Sequence, residues 1–152
     1  MNTITRLADM GIELPVAAAP VASYTPVVVH GDLAFVSGQL PFIDGKLVTG
    51  KLGSEIGVER GIQAARACGL MILAQLEAAD LLDRVQRVVK LGGFVACTSD
   101  FIDQPKVANG ASDLMAEVFG DAGKHARSAV GVPVLPRGAA VEVDAIVAIR
   151  AD

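Results

Sequence analysis

Hydrophobic positions along the chain fall into two periods. Residues 27–30 and 33–37 are β-branched and apolar on either side of Gly31-Asp32, a good two-residue turn, and predict a β-hairpin. Asp44-Gly45 marks a second turn. From 58 to 79 the period changes to that of a helix. Val58, Ile62, Ala65, Gly69, Ile72, Leu73 and Leu76 share one face, while Glu59, Arg60, Gln63 and Arg66 fall mostly elsewhere. Residues 85–96 predict a strand, with a bulge expected at Gly92-Gly93. Residues 105–119 predict a second helix, with Pro105 in its first turn, an apolar stripe of Val107, Ala111, Leu114, Met115 and Val118, and Gly120 and Gly123 beyond its end. Residues 127–132 and 140–149 are the last two strands. A short helix near 3–11 and a connector at 15–20 precede all of this. Elements in this order describe a single α+β domain, a mixed sheet with helices on one face.

The last strand carries the most information. Val141, Val143, Ala145, Val147 and Ile149 alternate onto one face, which should meet the helices; Glu142, Asp144, Ile146 and Ala148 occupy the other. A face wholly in water has no need of Ile146. Partial cover by another subunit is expected, with the carboxylates near that interface.

Composition points the same way. Of 152 residues, 52% are apolar and only 20% charged, more hydrophobic surface than one modest core requires. Mean hydropathy is +0.49. A spanning helix needs roughly 20 consecutive apolar residues, and residues 64–82 are interrupted by Arg66, Gln75, Glu77 and Asp80. Residues 1–14 carry Arg6, Asp9 and Glu13, unlike a signal peptide. Self-association therefore accounts for the excess better than a membrane. A net charge of −4 and 4% aromatic residues argue against a dedicated nucleic-acid binder. Cys68 and Cys97 read as buried, reduced thiols, and a cytoplasmic location is expected.

Several chemistries lack their motifs. The chain has no G-x-G-x-x-G, no G-K-[ST] and no G-x-S-x-G. His30 and His125 are far apart and neither lies near a Cys, so metal-ligand spacing is missing. Both histidines read as solvated polar residues. No metal and no cofactor are expected.

What remains is His125-Ala126-Arg127-Ser128-Ala129-Val130, then Leu135-Pro136, then Val141-Glu142-Val143-Asp144-Ala145. Upstream stand Tyr24 and Ser37-Gly38-Gln39-Leu40-Pro41, with Asn109 in the second long helix. In this order the segments resemble the Rid family, also called YjgF or L-PSP, from about residue 24 to residue 149. The resemblance implies a chorismate-mutase-like α+β fold over residues 23–152, with 1–22 as a preceding helix and connector. It implies a homotrimer with pockets between subunits. It also implies cofactor-free hydrolysis of 2-imino and enamino acids to 2-keto acid and ammonia. Arg127 would grip the substrate carboxylate with two parallel charge-assisted hydrogen bonds. Glu142 matches the position that orients and activates the attacking water. Tyr24, Ser37, Gly38, Asn109 and Ala129 would line the pocket or hydrogen-bond the ligand. At Ala129 several deaminase members have Cys.

Each residue has a plainer reading. Arg127 can be a salt-bridge partner of Glu142 or Asp144. Glu142 can be a solvated strand residue, Tyr24 a packing aromatic, Ser37 a strand-end residue bonding backbone. Asn109 can sit on the polar side of its helix, and Arg137 is expected to be exposed in its turn. Two other functions stay open: a non-catalytic trimer that binds a small carboxylate, and an endoribonuclease.

Overall fold

The computed structural model describes residues 2–20 and 22–152. Met1 and Val21, which fall in the stretch expected as helix and connector, lie outside the described residues. Helix α1 (Thr3–Asp9) opens on Asn2, whose side-chain oxygen accepts a hydrogen bond from the Thr5 backbone at 2.8 Å. Its Leu7 is buried in the common core. Strands β1 (Val27–His30) and β2 (Leu33–Gln39) form the expected hairpin, with His30 opposite Leu33 across Gly31-Asp32. A second, shorter hairpin, β3 (Phe42–Ile43) and β4 (Lys46–Leu47), turns at Asp44-Gly45. Both turn residues have positive φ, the conformation that suits a two-residue hairpin loop.

Helix α2 (Val58–Ala78), strand β5 (Val85–Ala96), helix α3 (Gln104–Phe119), and strands β6 (Ala126–Val132) and β7 (Val141–Ile149) complete the domain. The five long strands form one sheet in the order β1-β2-β7-β5-β6. Only β5 and β6 run parallel, and α3 is the crossover between them. α2 and α3 lie on one side of the sheet. Ile72, Leu73, Leu76, Leu114 and Met115 from the helices meet Val141, Val143, Val147 and Ile149 in a single core. The two helices approach closely because their contact is made of small residues. A Cβ on Gly110 would collide with the Ile62 carbonyl of α2, and one on Gly69 would lie 2.9 Å from a Leu114 methyl.

β7 alternates as its sequence demands. Val141, Val143, Ala145, Val147 and Ile149 are buried, and Glu142, Asp144, Ile146 and Ala148 are half-buried on the opposite face. Among the described residues no helix lies over that opposite face. Its register rows bring Val28 beside Phe35 beside Ile146, and Glu142 beside Phe94 beside Val130. Val28, Phe35 and Val130 remain 51%, 41% and 44% exposed.

The expected bulge is in a different place. β5 loses register with β7 between Val85 and Arg87 and again between Val88 and Lys90, whereas Gly92 and Gly93 pair regularly with Asp144 and Val143. The two glycines answer to neighbours above and below the sheet. A Cβ on Gly92 would strike the Asp144 carboxylate, and one on Gly93 would lie 3.3 Å from the Ala108 methyl of α3.

The two ends of the described chain converge on one turn. The Asp83 carboxylate accepts from the Thr3 backbone N–H at 2.6 Å, and the Asp83 carbonyl accepts from the Arg150 guanidinium. Arg84 donates from Nε and Nη2 to the Arg150 carbonyl at 3.0 and 2.8 Å.

Candidate functional site

The residues singled out in the sequence gather in two places. The first is the helix-side edge of the sheet. Arg127 lies on the edge strand β6, in register with Leu91 and through it with Ala145, both on the core face. Its side chain therefore leaves toward α3. There Nη1 donates to Asn109 Oδ1 at 2.9 Å and to Ser112 Oγ at 3.1 Å. Ala129, two residues on, shares this side of β6 and pairs with Gly93. Asn109 is exposed on α3, as its position off the apolar stripe predicts, and points at Arg127.

The second place is the helix-free face. Glu142 leans over the backbone of β2: a Cβ on Gly38 would lie 2.8 Å from Glu142 Cδ. Burial raises the Glu142 carboxyl above its ordinary value, and the neighbouring Asp144 carboxylate raises it further. Burial also raises Asp144, while a backbone hydrogen bond from Gly92 and the charge of Lys90 oppose the shift. Ser37 Oγ donates to the Thr25 carbonyl at 2.8 Å, and the Ser37 N–H donates to the Pro26 carbonyl at 2.9 Å. These bonds tie the segment carrying Tyr24, itself 45% exposed, to the strand that carries Gly38. Ser37 thus bonds backbone, as its plainer reading has it.

Arg127 makes no ion pair with Glu142 or Asp144, which corrects that alternative. Its Nη1 bonds are to Asn109 and Ser112. The reason is parity: Glu142 is in register with Phe94 and Val130, and Arg127 with Leu91, three positions away and on the other face. Two strand spacings and three residue rises put their backbones about 14 Å apart.

Two residues of the first cluster were not expected there. His125 is half-buried rather than solvated: Nδ1 is 2.6 Å from the Gly123 carbonyl and Nε2 is 2.8 Å from Ser112 Oγ. The available signal was spacing, since Ser112 is one helical step (i, i+3) from Asn109 and His125 is two residues before Arg127. Gln39, within the Ser37–Pro41 motif, proves structural. Its Oε1 accepts from Gln75 at 3.2 Å, and Gln75 also donates to the Ala18 carbonyl at 2.7 Å, fastening the N-terminal segment to α2.

Both cysteines are buried and free. Burial pushes the Cys68 thiol well up, out of the range of a nucleophile. Arg137 is exposed in its turn, as expected. No helix among the described residues is long and apolar enough to cross a membrane. A cavity of about 880 Å³ opens between residues 13–18, the β3–β4 turn and α2, away from Arg127, Glu142 and the residues gathered around them.

The family model described as YjgF/chorismate mutase-like, which also names an endoribonuclease, matches residues 4–148. The chain belongs to the YjgF/Rid family. A relative, protein TCP17 of Trypanosoma cruzi, is 54% identical over 144 residues, covering 93% of this chain and 90% of that protein. The 2-iminobutanoate/2-iminopropanoate deaminase of Dermatophagoides farinae is 31% identical over 141 residues, covering 91% and 95%. Among solved structures, a protein of unknown function from Agrobacterium tumefaciens (Atu1372) is 47% identical with a TM-score of 0.89, covering 97% of this chain and 92% of that one. The chorismate-mutase-like α+β fold expected from the Rid resemblance is therefore the fold of this chain.

Proposed function

We propose that the protein is a cofactor-free hydrolytic deaminase of 2-imino and enamino acids, acting in the cytoplasm as a homotrimer with its sites between subunits. One observation carries the reading. A guanidinium suited to a small carboxylate and a carboxyl suited to proton transfer leave opposite faces of one sheet. They serve one reaction only if Arg127 of one copy meets Glu142 of another. The bare apolar face around Phe35 and Val130 supports such assembly.

The chemistry follows from the substrate. Arg127 holds the carboxylate of the 2-imino acid, fixing the C=N carbon against Glu142 of the neighbouring copy. Water attacks that carbon while Glu142 takes its proton, giving a carbinolamine. Glu142 returns that proton to nitrogen and then relays the carbinolamine hydroxyl proton to it as well, the C–N bond breaks, and ammonia leaves as the C=O forms. A carboxyl raised by burial is a better proton acceptor near neutral pH than an ordinary glutamate. Tyr24, Ser37 and Gly38 frame the Glu142 side of the pocket; Asn109 and Ala129 frame the Arg127 side.

Ala129 favours a second reading, because several deaminase members have Cys there. The same trimer would then bind a small carboxylate without turning it over. The endoribonuclease reading has less behind it, given a net charge of −4. The deciding experiment generates an imine in place with a threonine or serine dehydratase or an amino-acid oxidase, with semicarbazide competing for it. Wild type should suppress semicarbazone formation and Arg127→Ala should not. Failure of wild type across several precursors would overturn the deaminase reading, and stabilisation by pyruvate without turnover would then favour the binding trimer.

A further inference from the structure

We infer that Ser112 and His125 are positioning residues that aim the guanidinium of Arg127, leaving one particular edge of it for the substrate. This rests on Arg127 being the carboxylate grip. Neither residue touches the substrate; each acts through the one before it.

Hydrogen-bond polarity fixes the chain. The Gly123 carbonyl can only accept, so His125 Nδ1, 2.6 Å away, must carry a hydrogen. In the neutral ring Nε2 is then an acceptor, and the Ser112 hydroxyl at 2.8 Å donates to it. With its hydrogen committed, Ser112 Oγ turns its lone pairs to Arg127 Nη1 at 3.1 Å. Asn109 Oδ1 takes the other Nη1 hydrogen at 2.9 Å. Both hydrogens of Nη1 are thereby used. The side-on fork made by Nε–H and Nη2 has no partner among the described residues, and it is the pair that matches a carboxylate with two parallel bonds.

The far end of the relay is held rigidly. Gly120, with φ of +62°, ends α3 and begins the tight turn that brings Gly123 back onto the helix. A Cβ on Gly123 would overlap the Met115 carbonyl, so the turn sits directly on α3. Its carbonyl is therefore a fixed reference for the imidazole, and through it for the serine and the arginine. Ser112 and Asn109 are one step apart on the same helix, so a single rigid element supplies both acceptors.

The test compares wild type, Ser112→Ala, Ser112→Thr, His125→Ala and His125→Gln in the full chain. Titration calorimetry gives the Kd for 2-oxobutanoate, and the coupled imine assay gives KM and kcat. Glutamine can place an amide oxygen where Nε2 accepts, and threonine keeps the hydroxyl. Ser112→Ala and His125→Ala should each raise Kd and KM about tenfold, with kcat within about threefold of wild type. Ser112→Thr and His125→Gln should stay within about threefold of wild type in all three. Wild-type Kd in both alanine variants would overturn the relay, as would His125→Gln losing as much as His125→Ala. Those outcomes require a wild type that binds the keto acid. A wild type that neither binds nor turns over overturns the carboxylate site itself, and the relay with it.

Discussion

Arg127 and Glu142 leave opposite faces of the same sheet, two strands and three register positions apart, so no rotamer of either joins them within one chain. If both act in one site, each site draws on two copies. Arg127→Ala and Glu142→Gln chains should each lose at least a hundredfold in kcat/KM. Denatured together and refolded as a mixture, they should recover about one site in four, since only a pairing of the two intact halves works. Recovery no greater than the sum of the separate variants would place both groups in a single chain or remove one from the reaction.

Gly38 is required by space rather than by backbone conformation. A Cβ there would lie 2.8 Å from Cδ and 3.0 Å from Oε2 of Glu142. Gly38→Ala should displace the carboxyl while leaving the strand in place. The expected result is a tenfold or larger fall in kcat with a Tm within a few degrees of wild type. Unchanged kcat would mean that the position of Glu142 does not matter to the reaction.

The helix pair has less tolerance. Gly110 abuts the Ile62 carbonyl, which is backbone and cannot swing aside. Gly110→Ala should cost about 3 kcal/mol by forcing α2 and α3 apart, despite alanine's better helix propensity. Denaturant unfolding measures it. A stabilised Gly110→Ala would show that the helices separate without penalty.

Carboxylates with opposite shifts give opposite pH trends. Glu142 is raised, so its protonated form favours the native state; that contribution is present below the ordinary value of 4.5 and lost as pH rises through the native value. Glu142→Gln should therefore raise Tm at neutral pH and converge on wild type in acid. Asp83 is lowered, first by the Thr3 N–H; its contribution is present above the ordinary value of 3.8 and lost as pH falls through the native value. Asp83→Asn should lower Tm at neutral pH and, like Glu142→Gln, converge on wild type in strong acid. Tm against pH for the three proteins tests both signs, and parallel curves would refute them. If Glu142 is the proton acceptor proposed above, the acid limb of kcat should lie above 4.5 for the same reason.

Much of the architecture was legible because period and punctuation agree. Gly31-Asp32 and Asp44-Gly45 turn where they should, the stripe of α3 is buried as read, and that of α2 is buried from Ala65 on, with Val58 and Ile62 half-buried. The bulge in β5 lies away from the glycines, because a glycine pair in a strand signals close approach of neighbours as readily as local irregularity. Gly92 and Gly93 instead make room for Asp144 and Ala108, and the register slips in a stretch of ordinary residues. Alternation within β6 and within β7 was equally readable. What it could not say is how the two strands align, and alignment decides which face Arg127 shares. His125 reads as solvated in the sequence because its partners, Gly123 and Ser112, belong to the turn and the helix before it.

The turn at Asp83 holds the first helix by one atom and the residue after the last strand by another. Entrance and exit of the described chain are thus neighbours, and the order of elements along the backbone is separable from their arrangement in space. A gene rearranged to join the two ends through a short flexible linker, and reopened at the exposed Asp44-Gly45 turn, should yield the same sheet from a circularly permuted chain.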